Sequence, residues 1–178
     1  YGYLSTSKWG PVLSNRIAWI IMEAPAFIFM LYYTLRFASE GTDTGNSRIA
    51  LYIMAGLYLL HYFQRSFIFP MLMRGKSKMP IGIVLMGMIF NTLNAVMQGG
   101  WIFYYAPEMG YYDDWMSKPY IYIGAVVFLF GMITNIHSDY VIRNLRKPGD
   151  TKHYIPKGGM FRFVSSANYF GEFMEWVG

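Results

Sequence analysis

Five long apolar segments constrain what this chain can become: Ile17 to Phe37, Ile49 to Leu72, Ile81 to Tyr105, Tyr120 to His137, and a last one starting near Val164. A membrane-crossing helix needs ~20 mostly apolar residues. The first three segments have that length, the fourth is shorter, and the fifth runs to the final residue. The other reading of such segments is the core helices of a soluble protein. Only 14% of the residues are charged and 54% are hydrophobic, against ~25% charged in an average soluble domain. A soluble domain of 178 residues has too little interior to hide that much apolar surface. The same numbers exclude disorder, which needs low hydrophobicity and high charge. With no cysteine, a disulfide scaffold, a Cys-ligated metal site and a thiol nucleophile are excluded. The expected fold class is an all-α integral membrane protein, a helical bundle with five spans visible.

The charges in the connections support that count independently. Lys8 and Arg16 precede the first span, and the first connection balances Arg36 and Arg48 with Glu40 and Asp43. The second holds Arg74, Lys76 and Lys78; the third has Lys118 against Glu108, Asp113 and Asp114. The fourth carries Arg143, Arg146, Lys147, Lys152, Lys157 and Arg162. Basic connections therefore alternate with non-basic ones, as helical topology requires, and the basic side is expected to be cytoplasmic. The net charge of +5 does not indicate nucleic acid, because the basic residues sit between apolar runs. The fourth connection, residues 139–163, is long for a helix–helix loop and is punctuated by Pro148-Gly149, Pro156 and Gly158-Gly159. It is expected to be a cytoplasmic basic loop, either a linker or an element that binds an anionic ligand or lipid headgroups.

Ionisable residues inside spans are costly and point to a site. Glu23, Glu172 and Glu175 lie deep in apolar sequence, and Pro25 follows Glu23 closely. A buried carboxyl needs a partner or must be neutral. The second span offers Tyr58, His61, Tyr62 and Arg65, spaced i, i+3, i+4, i+7 on one helical stripe. A phenol hydrogen-bonded to a carboxylic acid is a good donor to a carbonyl oxygen that develops enolate charge. In the third span Asn91, Asn94 and Gln98 share a stripe, which either glues helices together or belongs to the site. Near the end of the fourth, Asn135 and Asp139 are i, i+4, with His137 and Ser138 between them. In the fifth, Ser165, Asn168, Glu172 and Glu175 form a polar seam. Beside a basic loop, that seam either binds a cofactor or pairs with Arg143 or Arg146.

The block NIHSDYVIRNLRKPGDTKHYIPKGGMFRFVSSANYFGEFMEWVG, Asn135 to Gly178, closely resembles the signature region of the steroid 5α-reductases, the 3-oxo-5α-steroid 4-dehydrogenases. LHYFQRSFIFPMLMRGKSKMP, Leu60 to Pro80, and AWIIMEAPAF, Ala18 to Phe27, match earlier blocks in order and spacing. The resemblance covers nearly the whole chain and implies a seven-helix membrane fold, of which this chain would hold five. It implies an NADPH-dependent oxidoreductase acting on CH–CH bonds. Hydride is delivered to the β-carbon of a Δ4-3-ketosteroid, and the α-carbon takes a proton. By that resemblance Glu23 and Tyr62 hold the C3 carbonyl. The NADPH-binding residues would be Arg65, Arg74, Asn135, Asp139, Arg146, Tyr154, Asn168 and Glu172, with Tyr1 matching an N-terminal cofactor-contacting tyrosine. Met73 departs from an Asn that some members carry, and a cofactor-binding His of the family's C-terminal part has no counterpart here.

The implied partners are a testosterone- or progesterone-like steroid and the lipid bilayer. That bilayer would be the endoplasmic reticulum in a eukaryote and the inner membrane in a bacterium. Residues 1–178 read as a single transmembrane reductase domain. With no initiator Met, no signal peptide and an end inside an apolar run, the chain reads as a fragment truncated at both ends. Three other functions compete. One is reduction of another membrane lipid, an enoyl-thioester or polyprenol; the second is proton-coupled transport through Glu23 and Glu172; the third is non-catalytic lipid binding.

Overall fold

The computed structural model describes residues 9–40, 46–75, 77–146 and 154–178. Tyr1, Lys76, Lys147 and Lys152 lie outside the described residues. The chain forms two compact units, Tyr1–Met116 and Ser117–Gly178.

In the first unit β1 (Val12–Ser14) leads into α1 (Asn15–Ser39). α2 (Asn46–Phe63) passes through a π-helical turn at Gln64–Ile68 into α3 (Phe69–Leu72). β2 (Lys78–Pro80) leads into α4 (Ile81–Gly100), a second π-helical turn at Trp101–Tyr105, and α5 (Ala106–Glu108). The strands pair antiparallel, Val12 opposite Pro80 and Ser14 opposite Lys78. Asn15 N–H donates to Ser77 O at 3.0 Å and Ile81 N–H to Pro11 O at 2.8 Å, so the pairing continues to the helix starts. The Ser14 side chain accepts from Ile17 N–H at 3.5 Å as the N-cap of α1.

This clasp holds the first turns of α1 and α4 at one end, and the two helices then run parallel in contact. Met22 faces Gly87 and Tyr33 faces Gly99; a Cβ on either glycine would overlap the facing side chain. Val84, Asn91, Ala95 and Gly99 form the buried stripe of α4. Small residues let helix backbones approach closely where lipid supplies no hydrophobic drive. The clasp also places Arg16 and Lys78 at the same end, in keeping with the alternation of basic connections in the sequence.

Both π-helical turns have a proline cause. Phe69 N–H bonds to Gln64 O and Ala106 N–H to Trp101 O, each an i→i−5 bond made by the residue just before a proline, Pro70 or Pro107. A proline donates nothing and its ring crowds the carbonyl four residues back. Widening the preceding turn relieves that crowding and keeps the helix continuous.

In the second unit α6 (Pro119–Asn144) packs antiparallel on α7 (Ala167–Val177). They cross at glycines: a Cβ on Gly131 would lie 2.6 Å from both Gly171 O and Glu175 N, and one on Gly171 2.5 Å from Asn135 N. A short 3₁₀ turn, Gly159–Arg162, returns to α6. Gly159 has φ +56°, and a side chain there would strike the His137 ring, so both backbone and space call for glycine.

Three described helical stretches are long and apolar enough to cross a membrane: Asn15–Ser39, Ile81–Glu108 and Pro119–Asn144. Large side chains such as Leu35, Phe90, Met97, Val126 and Ile133 are more than half exposed, which a lipid environment accommodates. The protein is an all-helical membrane protein, as its composition predicts. The second expected span is helical from Asn46 to Leu72, but carries Arg48, His61, Gln64 and Arg65. The fourth continues past His137 to Asn144, because no breaker precedes Pro148. Asp139 and Arg143 are therefore helical, and the fourth connection starts at Leu145 rather than Asp139. The fifth starts at Ala167, leaving Ser165 in a turn and off the helical seam.

Candidate active site

The polar residues of the first unit converge on the buried stripe of α4. Asn91 Nδ2 donates to Glu23 Oε2 at 3.1 Å and to Met22 O at 2.9 Å. Tyr62 Oη donates to Asn91 Oδ1 at 3.3 Å. Asn94 Nδ2 donates to Tyr62 Oη at 2.8 Å and to Tyr58 Oη at 3.2 Å. Glu23 and Tyr62, paired by sequence reasoning, are therefore connected through Asn91. Met22 O, one residue from the carbonyl that Pro25 leaves without a helical donor, takes the side-chain bond from Asn91. The i, i+4 spacing of Tyr58 and Tyr62 brings their rings together, tilted by 35°, with centroids 4.7 Å apart, and the His61 ring meets Tyr62 edge-on at 4.9 Å. Tyr62 is buried and Glu23 half-buried.

Arg65 is buried one turn beyond Tyr62. The π-helical turn begins one residue before it, and its guanidinium lies 4.8 Å from the Trp19 ring centre and 4.7 Å from that of Phe69. Those rings meet edge-to-face at 5.1 Å. A guanidinium gains cation–π attraction there, more strongly when desolvated. Arg74 is exposed at a hollow of about 580 Å³ lined also by Ser14, Arg16, Ser77 and Lys78. Arg16 is held there by two bonds to Met73 O, from Nε at 3.2 Å and Nη2 at 2.6 Å. Three cations beside the start of α1 suit a phosphate-bearing ligand.

In the second unit Thr134, Asn135, Ser138 and Asp139 form the buried polar face of α6. Asn135 Nδ2 donates to Asn168 O at 3.0 Å, joining α6 to α7. Asn168 and Glu172 are half-buried, Glu175 is buried, and Arg146 and Tyr154 are exposed. The Ser138 hydroxyl is wholly buried with no hydrogen-bond partner among the described residues. Such a group costs ~1–3 kcal/mol, and a polar ligand docked on this face would satisfy it. The residue set therefore fits a polar cofactor.

Asn91 and Asn94, which by their stripe suit either helix glue or the site, both join the Tyr62 cluster. Arg16 carries no local signal for the site. Arg16 reaches the hollow through the β1–β2 pairing and its bonds to Met73, a link 57 residues apart in the chain. Ser138 had a signal, its place between Asn135 and Asp139.

Residues 77–178 match the family model described as 3-oxo-5-alpha-steroid 4-dehydrogenase. The chain is 41% identical to 3-oxo-5-alpha-steroid 4-dehydrogenase 1 of Bos taurus over 181 residues, covering 100% of this chain and 67% of the relative. It is 43% identical to the type 1 protein of Homo sapiens over 92% of this chain and 60% of the relative. It is 39% identical to the human type 2 protein over 93% of this chain and 62% of the relative. The chain thus spans about two thirds of the length of these curated relatives.

Proposed function

The chain belongs to the 3-oxo-5-alpha-steroid 4-dehydrogenase family, an oxidoreductase family of steroid metabolism, and from that premise we propose that it reduces the Δ4 double bond of 3-oxo-Δ4-steroids with NADPH. The observation that carries this reading is the Glu23–Asn91–Tyr62 chain of hydrogen bonds at the buried face of α4. Tyr62 would donate to the C3 oxygen of the steroid and draw electron density toward it. That makes the β-carbon electrophilic and stabilises the enolate charge that follows. Glu23, tied to Asn91, would hold the carbonyl end in place. Bound NADPH would supply the hydride, and reduction of the double bond consumes one further proton. Arg74, with Arg16 and Lys78 around it, would hold phosphate. Asn135, Asp139, Asn168 and Glu172, the polar face of the second unit, would receive amide and hydroxyl groups of the cofactor. Arg65, Arg146, Tyr154 and Tyr1 are assigned to cofactor binding by family likeness. The membrane-facing apolar surface suits a substrate that partitions into lipid, and a dry interior protects hydride transfer from water.

The test is NADPH oxidation by the full-length protein in detergent with testosterone or progesterone. Steroid-dependent oxidation giving the 5α-reduced 3-oxosteroid is expected. Absence of both steroid-dependent oxidation and NADPH binding overturns the proposal.

A further inference from the structure

We propose that Arg16 is a positioning residue: by clamping the Met73 carbonyl it holds the Met73–Gly75 turn so that the Arg74 guanidinium is presented to a phosphate in the hollow at the start of α1. This rests on the phosphate-binding role given to Arg74 above.

α3 ends at Leu72 and β2 begins at Lys78, so Arg74 lies on the connection between them. The first two residues of α1 tie that connection on both sides of Arg74. Asn15 N–H donates to Ser77 O at 3.0 Å. Arg16 donates to Met73 O from Nε at 3.2 Å and from Nη2 at 2.6 Å. Two N–H groups on one edge of a planar guanidinium, both aimed at a single oxygen, fix the direction of that carbonyl. A peptide unit is planar, so the Met73 carbonyl and the Arg74 N–H turn together. Clamping the one sets the direction in which the Arg74 side chain leaves the backbone.

On the far side of Arg74, Gly75 has φ +100°, and a Cβ built there would meet nothing within 4 Å. Glycine is needed at that position for its backbone conformation and not for lack of space. Arg74 is thus held between a clamped carbonyl and a left-handed glycine. The two arginines divide the work. Arg16 directs its fork at the protein's own backbone, while Arg74 makes no hydrogen bond or ion pair with the described residues. Both line the hollow with Lys78, and its described lining residues include no acid. Cations gathered without a carboxylate favour an anionic ligand. A lysine at position 16 would keep the charge and lose the clamp, because an ammonium is a point donor without a planar fork.

The experiment is a double-mutant cycle on the full-length protein in detergent: Arg16→Lys, Arg74→Gln and the two together. Each is read by NADPH fluorescence titration without steroid and by melting temperature without cofactor. Arg16→Lys is expected to raise the NADPH Kd about tenfold, and Arg74→Gln at least as much. If Arg16 acts through Arg74, the double variant binds NADPH no more weakly than Arg74→Gln alone. In Arg16→Lys, kcat at saturating NADPH should stay within about twofold of wild type. Wild-type NADPH affinity in Arg16→Lys, whatever its melting temperature, would make Arg16 a fastener of the helix start and overturn the inference. Additive losses in the double variant would overturn it too, since Arg16 would then act on the ligand independently of Arg74. Gly75→Ala is the second variant, should Arg16→Lys not fold. It strains the turn from its other side without touching a charge, and wild-type NADPH affinity in it would likewise overturn the inference. NADPH affinity unchanged by Arg74→Gln would remove the phosphate reading of the hollow, and this inference with it. Binding weakened by Arg74→Gln but kept by Arg16→Lys would leave that reading standing and remove this inference alone.

Discussion

Asn91 bridges Glu23 and Tyr62: one end of its amide lies 3.1 Å from the Glu23 carboxyl and the other 3.3 Å from the Tyr62 hydroxyl. Helices α1, α2 and α4 each contribute one member, so the group exists only when all three are packed. A carboxyl, an amide and a phenol in series can grip one carbonyl oxygen and respond to charge that develops there.

Tyr62→Phe is the direct check on that grip. It removes the hydroxyl and keeps the ring that packs against Tyr58 and His61. Turnover is expected to fall by at least about a hundredfold, with NADPH affinity, read by fluorescence titration, within about twofold of wild type. Parallel loss of turnover and cofactor affinity would make Tyr62 a packing residue.

The second unit makes a cofactor prediction that does not depend on turnover. Ser138→Ala removes a buried hydroxyl without a hydrogen-bond partner among the described residues. The cofactor-free variant should therefore melt at or above the wild-type temperature. NADPH should raise that temperature less than it does for wild type, because ligand stabilisation follows affinity. Glu172→Ala should likewise weaken NADPH binding first and recover kcat at saturating cofactor. An unchanged NADPH-induced shift in both variants would take α6 and α7 out of the cofactor site.

Gly171→Ala tests the crossing of α6 and α7. The added methyl would meet backbone atoms of Asn135 and Gly131, which cannot rotate away as a flexible side chain can. Overpacking of this kind costs ~1–3 kcal/mol, so a lower melting temperature in detergent is expected. Wild-type stability would mean that the helices separate at little cost.

Tyr112 gives a pH prediction outside the spans. Burial pushes its phenol up to about 12, with Tyr111 adding to the rise, from an ordinary value of ~10. Between those values the folded protein keeps the proton that the unfolded chain releases, so stability falls as pH rises through that window. Tyr112→Phe should flatten this fall. Because the Tyr112 hydroxyl is buried with no hydrogen-bond partner among the described residues, the variant should also hold its stability at neutral pH. A melting temperature that drops as steeply as in wild type over the same pH range would assign the slope to other groups.

Residue order alone determined the helical membrane class and the approximate place of each helix. Glu23, Tyr62, Asn135, Asp139, Asn168 and Glu172 were legible as polar residues standing out in apolar runs. Those signals are local: a span is ~20 neighbours long, and a helical stripe repeats every 3.6 residues. The end of α6 was not legible in this way: the apolar run stops at His137, but the helix continues through Asp139 and Arg143 to Asn144. Tertiary structure decided what each polar group touches. Asn91 and Glu23 are 68 residues apart and Asn91 and Tyr62 are 29 apart, and no periodicity links positions on different helices. The β1–β2 clasp, the glycine contacts that set α1 against α4, and the proline-driven π-helical turn that carries Arg65 onto Trp19 are likewise set by packing. Periodicity says which face of a helix is polar; only the packed neighbour says which atom that face must satisfy, because an amide or a phenol takes its direction from the partner it meets.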